Sequence, residues 1–186
     1  MKIRNYFGHL HMVNKHRFYV FCYCTRCGQF WRGLTHDLSK YSFTEFWEGV
    51  KYYNGKFSPI ASCRKEKGYS LAWLHHKGHN KHHYLYWIDP QNKRQMNMPY
   101  KYAVEFICDH IAATKCYSGK DYKDEMILEY FLKHEKTKIP NEEMVAFYEK
   151  VFTDLKNYGK KKVLNRKYLK TNYKEIVENH RIVKGE

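Results

Sequence analysis

The apolar positions along the chain recur at helical spacing and nowhere settle into a sustained alternation. From about Ile3 to Gly28 there is no proline, and His9, Val13, His16 and Val20 repeat at the interval of one helix face. This predicts a long first helix with His9 and His16 on the same side. Gln29 to Leu38 predicts a second helix, ending at His36-Asp37-Leu38-Ser39-Lys40. Ser42-Phe43-Thr44-Glu45 has the form of a capping box, in which serine oxygen and glutamate each satisfy a free N–H at a helix start. A third helix therefore runs through Phe46 and Trp47 to Asn54-Gly55, where the glycine can take the left-handed turn that ends it. Phe57 to Gly68 carries Ser58-Pro59 and mixed charges and reads as a loop.

Ser70 caps a short helix holding Leu71, Ala72, Trp73 and Leu74. A histidine cluster follows, and then a polar connection from Asp89 to Asn97 broken by Pro90. Pro99 suits the first turn of another helix, where its missing N–H is not needed. Tyr102, Ala103, Phe106, Ile107 and His110 mark the apolar face of that helix, and Gly119 lies beyond its end. Two more helices fall near Tyr122 to Lys136 and from Pro140 to Tyr158, with Gly159 as a stop. With no internal repeat or low-complexity tract, the expectation is one all-α domain over residues 1–186, closing in a looser basic C-terminus.

Composition sharpens this picture. No stretch reaches the about 18 consecutive apolar residues of a membrane span, and Met1-Lys2-Ile3-Arg4 opens no signal-peptide apolar region. The expectation is a soluble cytoplasmic protein with no membrane partner. Eighteen Tyr, eleven Phe and four Trp predict an aromatic core. Thirty-four Lys and Arg against nineteen Asp and Glu give a formal charge of +15, which draws in phosphate-bearing polyanions. A Lys-, Tyr- and Asn-rich composition would give the same charge without any binding role. The densest basic stretch, Lys156 to Lys174, reads as a solvated helix face or as a nucleic-acid contact. Of six cysteines, three crowd into Cys22-Tyr23-Cys24-Thr25-Arg26-Cys27. No second CxxC or CxxH completes a zinc site, so free thiols on a packed helix are expected.

Chemistry concentrates in two places. Five of the twelve histidines fall within His75-His76-Lys77-Gly78-His79-Asn80-Lys81-His82-His83. On a helix, His75, His79 and His82 share one face and His76, Asn80 and His83 the neighbouring one. Either face offers two imidazoles to a metal, and Gly78 lets the cluster span a helix end and a turn instead. A polar surface patch is the plain alternative. His76 and His83 are the preferred pair, because Asn80 between them can orient a ligand. His36-Asp37 is the second signal: an imidazole and a carboxylate side by side can bind one metal, or bridge two through the carboxylate. Asp37 as a simple helix cap is the rival reading.

These residues resemble the HD superfamily of metal-dependent phosphohydrolases, whose pattern is a histidine, an HD pair and a distant aspartate on helices. His36-Asp37-Leu38-Ser39-Lys40 is similar to its HD-hydrophobic-x-Lys signature, and His16 stands where the first histidine belongs. Asp109, in Phe106-Ile107-Cys108-Asp109-His110, is the candidate closing aspartate. His9 and His11 compete with His16, and Glu105 competes with Asp109. Multi-metal versions place extra histidines between the HD pair and that aspartate, where the histidine block falls. More narrowly, His36 to Lys40, Ala72-Trp73-Leu74-His75-His76-Lys77 and Met98-Pro99-Tyr100-Lys101-Tyr102 are similar to a small bacterial and phage family of unknown function. The signature spans about residues 6–120, leaving 121–186 as added helices and the basic end.

The resemblance implies an HD-domain-like helical bundle that hydrolyses phosphate esters. It implies metal ligands His16, His36, Asp37, His76, His83 and Asp109 around one or two divalent ions of Fe, Mn, Zn, Co or Ni, among which the donor set does not choose. Asp37 would bridge or orient, Lys40 would stabilise phosphate charge, and His79 or His82 would protonate the leaving oxygen. Trp73, Tyr84, Tyr86 and Trp87 would stack on a base or fill the core. The expected substrate is a nucleotide or other phosphorylated small molecule. RNA or DNA is the alternative substrate, and a non-catalytic metal-stabilised binding protein the alternative class.

Overall fold

The computed structural model describes residues 3–91 and 96–179. Among them the secondary structure is all helical, with no strand, as the periodicities predict. Residues 92–95 of the expected polar connection and the last residues of the basic C-terminus lie outside this description.

α1 (Ile3–Arg26) buries His9, Val13, His16 and Val20, the stripe anticipated from the sequence, and extends it to Cys24. It packs on α2 (Phe30–Thr35) and on α6 (Tyr100–Ser118). α6 is the axis of the molecule: Ala103, Val104, Ile107, Cys108, Ile111 and Ala112 are inaccessible, so it is apolar nearly all round. α3 (Phe43–Tyr52) packs on α1 and on α5 (Leu71–His79). α7 (Glu125–His134) and α8 (Glu142–Val163) pack on each other and, with α6, close an aromatic core of Phe106, Phe131, Phe147, Tyr148 and Phe152. Cys24, Cys27 and Cys108 are buried free thiols within this packing. No helix among the described residues is long and apolar enough to cross a membrane.

Four local expectations need correction. Phe57 to Gly68 is not a loop, for α4 occupies Pro59–Lys67. Pro59 starts it, Arg64, Lys65 and Lys67 complement its C-terminal dipole, and Gly68 ends it at φ 81°. Only Cys63 is buried, so there was no apolar stripe to detect. The Ser42 capping box forms only by half. Ser42 Oγ accepts from Glu45 N at 3.4 Å, but the Ser42 N–H goes to Ser39 O, releasing the Glu45 carboxylate for other work. Gly159 interrupts the backbone at φ 72° as a stop should, yet a further helical turn carries α8 on to Val163. The basic end is packed, too: α9 (Arg166–Tyr173) and the π turn Lys174–Glu178 insert Leu169, Tyr173 and Val177 into the core.

Candidate metal centre

The HD pair sits on a turn that α1 holds in place. Gly33 lets α2 lie against α1 almost backbone to backbone, since a Cβ there would come within 2.8 Å of Cys24 Cβ and 2.9 Å of Phe21 Cα. α2 then stops at Thr35, and Asp37 adopts φ 52°, ψ 31°. It is the one described non-glycine residue with positive φ, a strain of about 1–3 kcal/mol that the surroundings must hold. Arg17 does the holding. Its Nε donates to His36 O at 2.8 Å, Nη2 to Leu34 O at 2.9 Å and Nη1 to Tyr41 Oη at 3.0 Å. The left-handed turn brings the Asp37 carboxylate to the same point as the His36 ring.

Two groups of donor atoms meet there. In the first, His16 Nε2 lies 3.3 Å from His36 Nε2 and 3.0 Å from Asp109 Oδ1, and His36 Nε2 lies 3.2 Å from Asp37 Oδ2. In the second, His76, His82 and His83 each offer a nitrogen within 4.8 Å of the others. The two groups share carboxylates. Asp37 turns Oδ2 to the first group and Oδ1 to His76 Nε2 and His82 Nε2, both at 3.5 Å. Asp109 turns Oδ1 to the first and Oδ2 towards His82 Nε2 at 3.7 Å.

A metal ion fits this arrangement on two counts. Bond lengths of about 2.0–2.2 Å place neighbouring ligand atoms roughly 3.0–3.5 Å apart, the spacing seen in the first group and from Asp37 Oδ1 to His76 and His82. And Asp37 Oδ1, His82 Nε2 and His83 Nε2 are buried with no hydrogen-bond partner among the described residues, an arrangement that costs free energy unless something polar or charged engages them.

Behind the donors stands a layer that fixes ring orientation. Glu105 Oε1 takes His36 Nδ1 at 2.9 Å and His82 Nδ1 at 3.3 Å, while Oε2 accepts from Arg32 Nε at 2.9 Å. Glu45 Oε2 takes His76 Nδ1 and Oε1 takes His75 Nδ1, each at 2.7 Å. When these rings are neutral, with Nδ1 carrying the proton towards a carboxylate, Nε2 of His36, His76 and His82 is left to present its lone pair inward. Glu48 anchors the N-terminus of α5, accepting from Ser70 Oγ, Leu71 N and Ala72 N.

The electrostatics are those of a centre crowded with carboxylates. Burial pushes Asp37 up, but His36, Lys40 and His76 outweigh it and hold the carboxyl well below its usual range. Asp109 is likewise held well down against burial by the hydrogen bonds of His16 and His36, and Glu105 is held at about 2 by those of His36 and His82. Burial lowers His36, yet the Asp37 charge and the bonds to Asp109, Asp37 and Glu105 raise it well above its ordinary value. Burial, helped by Lys40, lowers His16 to about 4. Burial and the neighbouring His82 and His76 lower His83 well below the usual imidazole range.

Among the residues named from sequence, His16, His36, Asp37, His76, His83 and Asp109 stand together, though up to ninety-three positions separate them. His82 is placed differently from expectation. It lies inside the second group with Nδ1 engaged by Glu105, not as a spare proton donor. His79 is outside the cluster altogether: exposed, stacked on His75 at 3.9 Å, with Nδ1 on His75 O at 2.8 Å. The reason is that α5 ends at His79 and the chain turns at Asn80 (φ −114°, ψ 103°), so helical spacing no longer governs His82 and His83. Lys40 Nζ lies 2.7 Å from Asp37 Oδ2 and stays a quarter exposed, at the more open side of the centre with Asp109. Of the rivals, His9 packs against Gly49 and Phe46, His11 faces solvent, and Glu105 is the buttress behind His36 and His82. The roles of Glu45, Glu48, Arg17 and Arg32 escaped sequence reasoning, for no local pattern ties them to histidines or turns far along the chain.

Fold and site together define an all-α helical protein with a buried histidine–carboxylate cluster able to hold metal ions. The chain belongs to the family described as "Family of unknown function (DUF5662)", whose match covers residues 5–181. No curated protein and no solved structure matches it.

Proposed function

We infer that the protein is a divalent-metal-dependent phosphohydrolase acting on a nucleotide or other small phosphate ester. The observation that carries this reading is the pair of donor groups joined by Asp37 and Asp109, each carboxylate with one oxygen on each side. His16, His36, Asp37 and Asp109 would hold one ion, and His76, His82 and His83 with the other oxygens of the two carboxylates a second. Such ions supply an acidified water and polarise a phosphoryl oxygen. The imidazole and carboxylate donors suit Fe, Mn, Zn, Co or Ni. Lys40 keeps its charge at the more open side, where it offsets Asp37 and attracts phosphate. Glu105 and Glu45 keep the ring nitrogens aimed inward while a substrate binds. The likeness of His36 to Lys40 to the HD-superfamily signature supports the same chemistry.

The test is metal analysis of the purified protein followed by a manganese-supplemented screen of nucleotides, phosphomonoesters and phosphodiesters. Wild type should carry metal and turn over at least one small ester, and His36→Ala and Asp37→Ala should lose both properties while staying helical. Tight metal without turnover on any ester would favour a metal-stabilised binding protein. Activity confined to polymers would favour a nuclease, a reading to which the +15 charge lends weight.

A further inference from the structure

Beside its buried stripe, α1 carries a second one. Ile3, Phe7, Leu10, Asn14, Arg17 and Phe21 recur at alternating steps of four and three residues, which places them along one helix face. α2 extends this face, for the Phe30 ring lies 5.3 Å from that of Phe21 and 5.2 Å from that of Trp31. At the other end, Tyr6 joins Phe7 to Trp47 of α3 at 5.3 and 6.0 Å, and Phe43 lies 6.2 Å from Trp47. Tyr41 links the two ends, its Oη donating to Asn14 Oδ1 and accepting from Arg17 Nη1. Here the surface dips into a hollow of about 230 Å³ lined by Asn14, Arg17, Phe18, Phe21, Leu34 and Tyr41.

Much of this face is bare. Phe43 is 81% exposed, Trp31 73%, Phe18 62% and Phe7 61%. At about 150–250 Å² per aromatic side chain, these four alone leave on the order of 500 Å² uncovered. Ile3, Phe30 and Leu34, also exposed, bring the face to roughly 800 Å², which is what one side of a standard stable interface covers and more than the about 300–600 Å² of the largest patch on a typical monomer. Its composition is that of an interface core, rich in aromatic rings with one arginine. No lysine or carboxylate is among the side chains named, in a chain with thirty-four Lys and Arg. A bilayer has no relief to fill the hollow, and lipid would desolvate the Arg17 charge that lines it. A partner steered by the +15 charge would dock on a cluster of cations, and this face holds none. Another copy of the chain brings an equal apolar area, and protruding rings and a hollow on one face can complement themselves about a two-fold axis. We propose that the outer faces of α1 and α2, with Phe43 and Trp47, form the interface of a two-fold dimer of this chain. None of these residues belongs to the metal centre, so the proposal stands or falls apart from the hydrolase reading.

The experiment is sedimentation velocity of the full chain over a dilution series, at low and at high salt. Wild type should be dimeric at micromolar concentration and dissociate on dilution. Because two chains of +15 repel each other and salt screens that repulsion, the dimer should tighten as salt rises. Trp31→Ala should raise the dissociation constant at least about tenfold, as the loss of a central tryptophan from an interface does. Phe18→Lys, a second exposed position, should do the same by placing like charges in the apolar contact. Leu132→Ala on α7 should leave the constant unchanged, and circular dichroism should find the variants helical. A wild type that stays monomeric at high micromolar concentration, a dimer unaffected by both Trp31→Ala and Phe18→Lys, or association that weakens with salt would overturn the proposal. So would binding of monomers to phosphatidylserine vesicles that Trp31→Ala abolishes, since the face would then belong to lipid.

Discussion

Replacing Glu105 by glutamine keeps the side chain's shape and removes its charge. The carboxylate is ionised at any working pH, since its pKa is held at about 2, and it serves three donors: His36 Nδ1, His82 Nδ1 and Arg32 Nε. An amide has one accepting oxygen. Whichever way it turns, an NH₂ group faces a donor, either Arg32 or the two rings. Arg32 is 31% exposed and can reach water, so the metal-free protein should lose about 1–3 kcal/mol, the cost of a charged hydrogen bond, and not the larger penalty of a stranded buried ion. The effect on metal is the sharper readout. Loss of an outer partner weakens metal binding about 10–100-fold, or roughly 1.4–2.7 kcal/mol. Because His36 belongs to one donor group and His82 to the other, both ions should weaken together. Glu45→Gln is the internal control: it touches His75 and His76, so only the second group should respond. Competition titration against a fluorescent chelator, resolving two binding events, measures both affinities, and urea unfolding of the metal-free protein measures stability. If Glu105→Gln leaves both affinities within about twofold of wild type while folded, or weakens only one, the shared-buttress account is refuted.

Further outcomes follow from the same geometry. His79→Ala should leave metal content unchanged and stability within about 0.5 kcal/mol, because the ring is exposed and away from the donors; a loss of metal would return it to the site. Gly33→Ala should destabilise by about 1–3 kcal/mol through overpacking against Phe21 and Cys24 and lower metal occupancy by shifting the HD turn; unchanged urea midpoint and occupancy would refute this. Chelation from a state near 100-fold ion saturation should lower the melting temperature by about 5–10 °C, and a scan indifferent to chelator would count against a native metal. Burial, with Lys40 second, lowers His9 to about 4, so the unfolded chain takes up a proton there before the folded one does. His9 thus draws stability down as pH falls from about 6.5 to 4, by at most roughly 3 kcal/mol. His9→Gln should remove that part of the slope, and an unchanged pH profile would refute it.

The helical class and the HD turn were legible because they depend on nearby residues. The stripe His9, Val13, His16, Val20 and the end of α2 at the HD pair are written in local spacing. α4 was missed for want of an apolar face to give it a period, although Pro59 and Gly68 mark its ends. The histidine block was read on a helical lattice that the chain leaves at Asn80, and this explains why His82 and His83 join His76 while His79 does not. Glu45 carried a misleading local signal: its capping-box position is real, but its carboxylate goes to His75 and His76, about thirty residues away. Contacts of that separation follow from packing of α3 on α5, and a single sequence contains no spacing rule for them.

Charge in the centre connects the site to the kind of molecule it should accept. Asp37, Glu45, Glu105 and Asp109 bring four buried or nearly buried carboxylates together, whereas Lys40 and Arg32 supply two fixed cations. Two negative charges are left over in a region with little water to solvate them, an imbalance that costs several kcal/mol per uncompensated ion. Metal-free, the chain offsets part of it with a proton on His36, and for this reason that imidazole titrates well above its usual range. One dication in place of that proton balances the remainder, and competition between the two makes metal affinity fall on acidification. A second dication on His76, His82 and His83 reverses the sign, leaving two positive charges in excess beside a lysine at the more open side. A phosphate dianion is the ligand that restores neutrality. Phosphate should therefore bind more tightly once both donor groups are loaded, and equal phosphate affinity for the metal-free and fully loaded protein would break this link between the cluster and an anionic ligand.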